Sequence, residues 1–183
     1  MDIKIAVSGK SGCGNTTVSR IVADSLGLQF INYTFRSLAK EMDIKLTDVL
    51  ALASADDSWD KKLDARQVQL ARESNGCVLG SRLAIWMLTD ADLKVYLHAN
   101  PQTRAARIVK REGGSLESVA AFTEERDRQD NSRYLRIYNI DNDNYDFAHL
   151  VINTDDLNPQ EISQKIIDAA EKIIQWKLTN SEK

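Results

Sequence analysis

The chain has 183 residues, a formal charge of −3, 43% hydrophobic residues, 28% charged residues and two cysteines. That balance suits one globular domain with one core, and no Pro/Gly/Ser-rich linker divides it. Cys13 and Cys77 are too few for a disulfide framework or a zinc site. No apolar run approaches membrane-spanning length, and the mild negative charge gives no reason to expect nucleic acid as a partner. A strand begins within three residues of Met1, ahead of any export leader, so a cytoplasmic location is expected.

Lys4-Ile5-Ala6-Val7-Ser8 is a short β-branched apolar run, the pattern of a buried parallel strand. Gly9-Lys10-Ser11-Gly12-Cys13-Gly14-Asn15-Thr16-Thr17 follows, and Val18, Ile21, Val22 and Leu26 then continue at helical spacing over 16–26. Strand, glycine-rich turn and helix in that order make a phosphate-binding loop. Glycines let backbone N–H groups converge on an anion, and the helix N-terminus favours negative charge there. The frame G-x-x-x-x-G-K-[ST] is met by Gly9, Gly14 and Thr16, with Asn15 in the lysine position. Thr16 is the expected hydroxyl ligand of Mg²⁺. An ordinary strand-to-helix turn is the alternative, and the strand, the spacing and the double threonine weigh against it. Cys13 reads as a small loop-filling residue, because thiol reactivity needs a lowered pKa.

Further along, 28–32 reads as strand two, 35–42 as a short helix, and 46–54 and 59–74 as helices. Strand three falls at 77–80, strand four at 94–98 and strand five at 150–153. Pro101 opens a helix from a first-turn position. Residues 115–140 form a long polar helical stretch, 159–178 an amphipathic closing helix, and 179–183 a frayed tail. His98 and His149 border strands and read as edge or core residues; Trp59, Trp86 and Trp176 are expected in the core. The alternation predicts an α/β protein of three layers, a parallel five-stranded sheet with helices on both faces, in the P-loop NTPase arrangement. Ligands in such sheets bind at the strand C-terminal ends, where the loop, 32–36, 80–82 and 153–158 fall.

Arg104, Arg107 and Arg111 share one helix face after strand four, beside Lys110. Arg126, Arg128, Arg133 and Arg136 interleave with Glu125, Asp127 and Asp130. Either cluster alone fits a solvated charged face. Joined to a phosphate loop, the first looks like an Arg-rich lid that closes over ATP and excludes water.

Several segments together carry a resemblance: Phe35-Arg36 with Leu38-Ala39; Asp64 with Arg66-Gln67; Arg82-Leu83-Ala84 with Trp86-Met87; 91–94; 104–112; and Arg126-x-x-x-Asp130-x-x-Arg133-Tyr134-x-x-x-Tyr138-x-x-Asp141. Over nearly its whole length the chain resembles the short, archaeal-type cytidylate kinases among the nucleoside monophosphate kinases. The resemblance implies one kinase domain over 1–178, with an acceptor-binding helical segment at about 34–74, lid and acceptor-binding helices at about 104–136, and a tail at 179–183. It implies that Arg36, Arg82, Arg126 and Arg133 surround the acceptor nucleotide and that Asp130 binds its ribose. Gly9, Lys10, Ser11, Gly12, Cys13, Gly14, Asn15, Thr16 and Thr17, with Arg104, Arg107 and Arg111, would hold ATP, with Mg²⁺ on Thr16. Catalytic roles would fall on Lys10, Arg111 and Arg126. The implied reaction is phosphorylation of CMP or dCMP by a monomer that binds neither nucleic acid nor membrane.

Three departures from the family pattern stand out: Asn15 for lysine, Gly80-Ser81 where an acidic residue and glycine usually precede Arg82, and Asn32-Tyr33-Thr34 before Phe35-Arg36. Lys10 is similar in place to the early lysine of the deviant loops K-G-G-x-G-K-[ST], so it could supply the missing charge, in cis or from a neighbouring subunit. A catalytically weak or inactive nucleotide-binding regulator on the same fold is the alternative function, and a small-metabolite kinase a third.

Overall fold

The computed structural model describes residues 2–181. Five strands, β1 (Lys4–Gly9), β2 (Gln29–Ile31), β3 (Cys77–Gly80), β4 (Leu93–His98) and β5 (Leu150–Asn153), form one sheet in the order β2-β3-β1-β4-β5. All pairs are parallel, with Val7 opposite both Gly80 and Val95. Among the described residues eight helices connect and flank the strands: α1 (Asn15–Leu26), α2 (Phe35–Glu41), α3 (Leu46–Ala55), α4 (Ser58–Glu73), α5 (Ala84–Met87), α6 (Pro101–Glu112), α7 (Leu116–Tyr138) and α8 (Pro159–Ser181).

Strand alternation explains the layering. Ile5 and Val7 of β1, with Val95 and Leu97, point to the face covered by Val18 and Val22 of α1 and Ile162 and Ile166 of α8. Ala6, Leu79 and Tyr96 point the other way, onto Ile85, Leu88 and Ala71. A small third cluster of Leu38, Ala39 and Val49, with Tyr33, Phe35 and Trp59 against it, holds α2 and α3 as a separate flap beside the sheet. Helix ends follow local chemistry. Asn100 accepts from the Thr103 N–H at 2.8 Å with Pro101 next to it, Ser115 accepts from Ser118, and Thr34 and Ser37 form a capping box.

The expected strands and long helices are present, with every end within three residues of its expected place. α5 was not expected; four residues are too short for a periodic signal. Residues 179–181 continue α8 instead of fraying, while 182 and 183 lie outside the described residues. Trp176 departs from its expected core position and is 66% exposed on α8, whereas Trp59 and Trp86 pack against clusters. His149 sits at the sheet edge, its Nδ1 accepting from the Lys94 N–H at 3.2 Å. Among the described residues no helix is long and apolar enough to cross a membrane.

Candidate active site

β1 delivers the chain into 9–14 at the C-terminal end of the sheet. Gly12 and Gly14 take φ of 86° and 100°, values that an L side chain rarely adopts. Gly12 has a second constraint: a Cβ there would lie 2.8 Å from the Arg104 carbonyl oxygen. The loop closes through Cys13 N–H to Lys10 O and Val18 N–H to Gly14 O, leaving the first-turn amides of α1 for an anion. Cys13 faces inward, 2% exposed, and burial pushes its thiol up to about 11. It is a packing residue under the loop, not a contact inside the site.

Asn15 takes the lysine position without taking its charge. Its Nδ2 donates to Gly9 O at 2.6 Å, so the side chain ties the loop to itself, and its Oδ1 is buried without a partner. Lys10 borders the site, but its Nζ pairs with Asp143 at 2.5 Å in the segment between α7 and β5. Thr16 lies in the first turn of α1, its Oγ1 accepting from Asn32 Nδ2 at 3.2 Å. Position 80 carries no side chain for a steric reason: a Cβ there would meet Ser19 Oγ at 2.6 Å and Ser19 Cβ at 2.8 Å. Among the described residues no three His, Cys, Asp or Glu side chains gather as a metal cluster.

One cavity of about 410 Å³ joins this loop to a basic wall. Gly9, Lys10, Ser11, Gly12, Gly14, Asn15, Thr16 and Thr17 border it on one side, and Arg82, Arg111, Arg126 and Arg133 also line it. Arg82 Nη1 pairs with Asp130 Oδ2 at 2.8 Å, and Arg133 Nη2 with Asp130 Oδ1 at 3.0 Å. Asp130 therefore engages both oxygens with the wall, one guanidinium on each. Arg126 is different. It has no carboxylate within ion-pairing distance among the described residues; burial, then the neighbouring Arg82 charge, push its guanidinium below the ordinary arginine value. Burial opposes the charge of Arg133 as well, but Tyr134, Asp60 and Asp130 outweigh it and raise that group.

Other expected residues lie elsewhere. Arg104 is 5% exposed, donates from Nη1 to Ser11 O at 3.2 Å and pairs with Asp127 at 2.6 Å. Arg107 donates to Gly12 O and to Thr154. Both arginines bond carbonyl oxygens of the phosphate loop, and neither borders the cavity. Only Arg111 of that helix face reaches the site. Arg36 is exposed on α2 and does not border the cavity.

Asp60, Leu63, Asp64 and Gln67 of α4 also line the cavity; the resemblance places this helix in the acceptor-binding segment and includes Asp64 and Gln67, but none of the four is among the expected site residues. Their spacing, i, i+3, i+4 and i+7, was the available signal. Burial raises Asp60 and pushes Asp64 up to about 6, although Tyr138 and Gln67 donate to the latter.

A parallel sheet with its glycine loop facing an arginine wall across one cavity defines a P-loop kinase. Residues 4–156 match the cytidylate kinase-like family. The chain is 48% identical over 174 residues to cytidylate kinase 2 of Borreliella burgdorferi, covering 93% of this chain and 96% of that one. It is 38% identical over 160 residues to a cytidylate kinase of Pyrococcus horikoshii, with 86% and 83% covered. Among solved structures, shikimate kinase from Bacteroides thetaiotaomicron matches at TM-score 0.63 and 16% identity, over 92% of this chain and 98% of that one. Deoxyadenosine kinase from M. mycoides with bound dATP matches at TM-score 0.57 and 18% identity, over 92% and 100%. These structural likenesses show the P-loop kinase fold; the sequence relatives show the family. The chain belongs to the cytidylate kinase-like family and is a nucleoside monophosphate kinase.

Proposed function

We propose that the chain transfers the terminal phosphoryl group of ATP to the phosphate of CMP or dCMP, forming ADP and CDP or dCDP. The observation that carries this reading is Arg126: among the described residues no carboxylate lies within ion-pairing distance of it, and it lines one cavity with Arg82, Arg133 and the phosphate loop. Positive charge in surplus at that place suits a phosphate monoester, and arginine recognises it through paired N–H groups. ATP phosphates would lie on the amides of 9–17. The cradle fits a phosphate because the positive φ of Gly12 and Gly14 turns the loop around the cavity and the first-turn amides of α1 face it without helical partners.

No general base is required, since a phosphate monoester oxygen is already nucleophilic at neutral pH. The task of these residues is alignment and neutralisation. Thr16 Oγ1 is the protein oxygen that would hold Mg²⁺, and the ion would supply neutralisation of charge on the phosphates. Arg111 and Arg126 complete the positive surround of the transferring group. Lys10 would exchange Asp143 for the donor phosphates, replacing the charge missing at Asn15. Cytoplasmic action as a monomer belongs to the same reading.

A catalytically weak nucleotide-binding regulator is the second reading, favoured by the Asn15 to Gly9 hydrogen bond in place of a cation. ADP formation with CMP in wild type, Lys10→Ala and Asn15→Lys decides between them. The kinase reading predicts wild-type turnover that collapses in Lys10→Ala while ATP binding persists. Turnover gained only in Asn15→Lys would favour the regulator.

A further inference from the structure

The proposed transfer leaves the acceptor stripe of α4 without a role. Gln67 is 3% exposed. Its Nε2 donates to Asp64 Oδ1 at 3.0 Å, and its Oε1 is buried with no partner in the protein. Asp64 is fixed from its other side, where the Tyr138 hydroxyl donates to Oδ2 at 2.7 Å. An ionised carboxylate only accepts hydrogen bonds. Asp64 therefore holds Gln67 in one of its two amide orientations, with the nitrogen toward Asp64 and the oxygen away from it. A buried carbonyl oxygen without a donor is costly, so a ligand that brings an N–H to it gains affinity. Tyr33, Phe35, Leu63 and Tyr134 add flat and apolar surface to the same cavity, suited to the faces of a base.

We propose that Gln67 Oε1 accepts from the exocyclic amine of the acceptor base, with Asp64 and Tyr138 as positioning residues, so that α4 selects cytosine over uracil. This rests on the acceptor reading given above. Cytosine carries a two-hydrogen donor where uracil carries a carbonyl oxygen. Uracil would set that oxygen against the fixed Gln67 oxygen and leave both without a donor. Oε1 is covered in the ligand-free form, so the side chains around it part as the base seats. The contact is remote from the transferred phosphoryl group and is made equally before and during reaction, so it acts on KM and not on kcat.

The test is calorimetric binding of CMP and UMP, with kcat/KM for each, on wild type, Gln67→Met and Asp64→Asn. Gln67→Met keeps the length of the side chain and removes the acceptor; CMP binding is expected to weaken about tenfold, with kcat and UMP binding little changed. In Asp64→Asn the new amide can donate to Oε1, which lets Gln67 turn its nitrogen to the base. UMP binding should then rise as CMP binding falls. A folding defect weakens both nucleotides together, so a gain for UMP marks reorientation. CMP bound by Gln67→Met as tightly as by wild type, or an unchanged CMP to UMP ratio in both variants, overturns the assignment. A wild type that binds CMP but forms no ADP refutes the phosphotransfer, and the Gln67→Met binding result still decides this proposal.

Discussion

Replacing Arg126 by alanine should separate function from stability, because this guanidinium is placed for a ligand at some cost to the fold. It borders the cavity, no carboxylate pairs with it among the described residues, and the Arg82 charge beside it is repulsive. A hydrogen bond to a charged group contributes about 1.5–3 kcal/mol, which corresponds to roughly 10- to 150-fold in kcat/KM for the acceptor. Unfolding temperature should stay level or rise, since the substitution removes a like-charge contact. Arg128→Ala is the control: Arg128 lies on the same helix but pairs with Glu125 on the exposed face, and its loss should leave turnover unchanged. Steady-state ADP formation at varied CMP, together with thermal unfolding, reads both quantities. Arg126→Ala with kcat/KM within twofold of wild type, or with a loss of activity matched by a loss of stability, would refute this reasoning.

Three further outcomes follow from the packing and the buried groups. Gly80→Ala should cost about 1–3 kcal/mol through the Ser19 clash, and adding Ser19→Gly should recover part of it, so that thermal melts of the two single variants and the pair show non-additivity. Neither cysteine should react with a thiol reagent at pH 8 in the native protein: Cys13 is pushed up to about 11 by burial, Cys77 is raised by the same cause, and labelling should require denaturant. Asp64, raised to about 6 by burial among Asp60, Arg133, Tyr138 and Gln67, binds its proton more tightly in the folded than in the unfolded chain. Its contribution is therefore present below about pH 4 and is lost as pH rises through about 6, by about 3 kcal/mol. Asp64→Asn should accordingly gain stability relative to wild type on going from pH 4 to pH 7, and an equal difference at both pH values would contradict that sign.

The layering of the fold was legible because β-branched runs and helical periodicity report burial directly, as in Lys4-Ile5-Ala6-Val7 and the 159–178 stripe. α5 was hidden by its length, and the exposure of Trp176 by the absence of any element to cover the last turns of α8 among the described residues. At the site, the loop could be read from glycine spacing, since φ and close approach are properties of single positions. The contacts of Arg104 and Arg107 could not, because helical spacing places them on one face but does not show that Ser11 O, Gly12 O, Asp127 and Thr154 lie opposite it. Asp130 matched its motif, yet only three-dimensional proximity shows both its oxygens spent on Arg82 and Arg133. The emptiness of position 80 has the same origin: Ser19, sixty-one positions earlier, occupies the space.

The central claim is phosphoryl transfer to a pyrimidine nucleoside monophosphate without a lysine in the loop. Its most direct test is ADP formation by the wild-type protein from ATP and Mg²⁺ with CMP, dCMP, UMP, AMP or GMP as acceptor. Turnover is expected that depends on CMP or dCMP and is weak with UMP. No ADP with any acceptor, from protein that binds ATP and CMP, would contradict it.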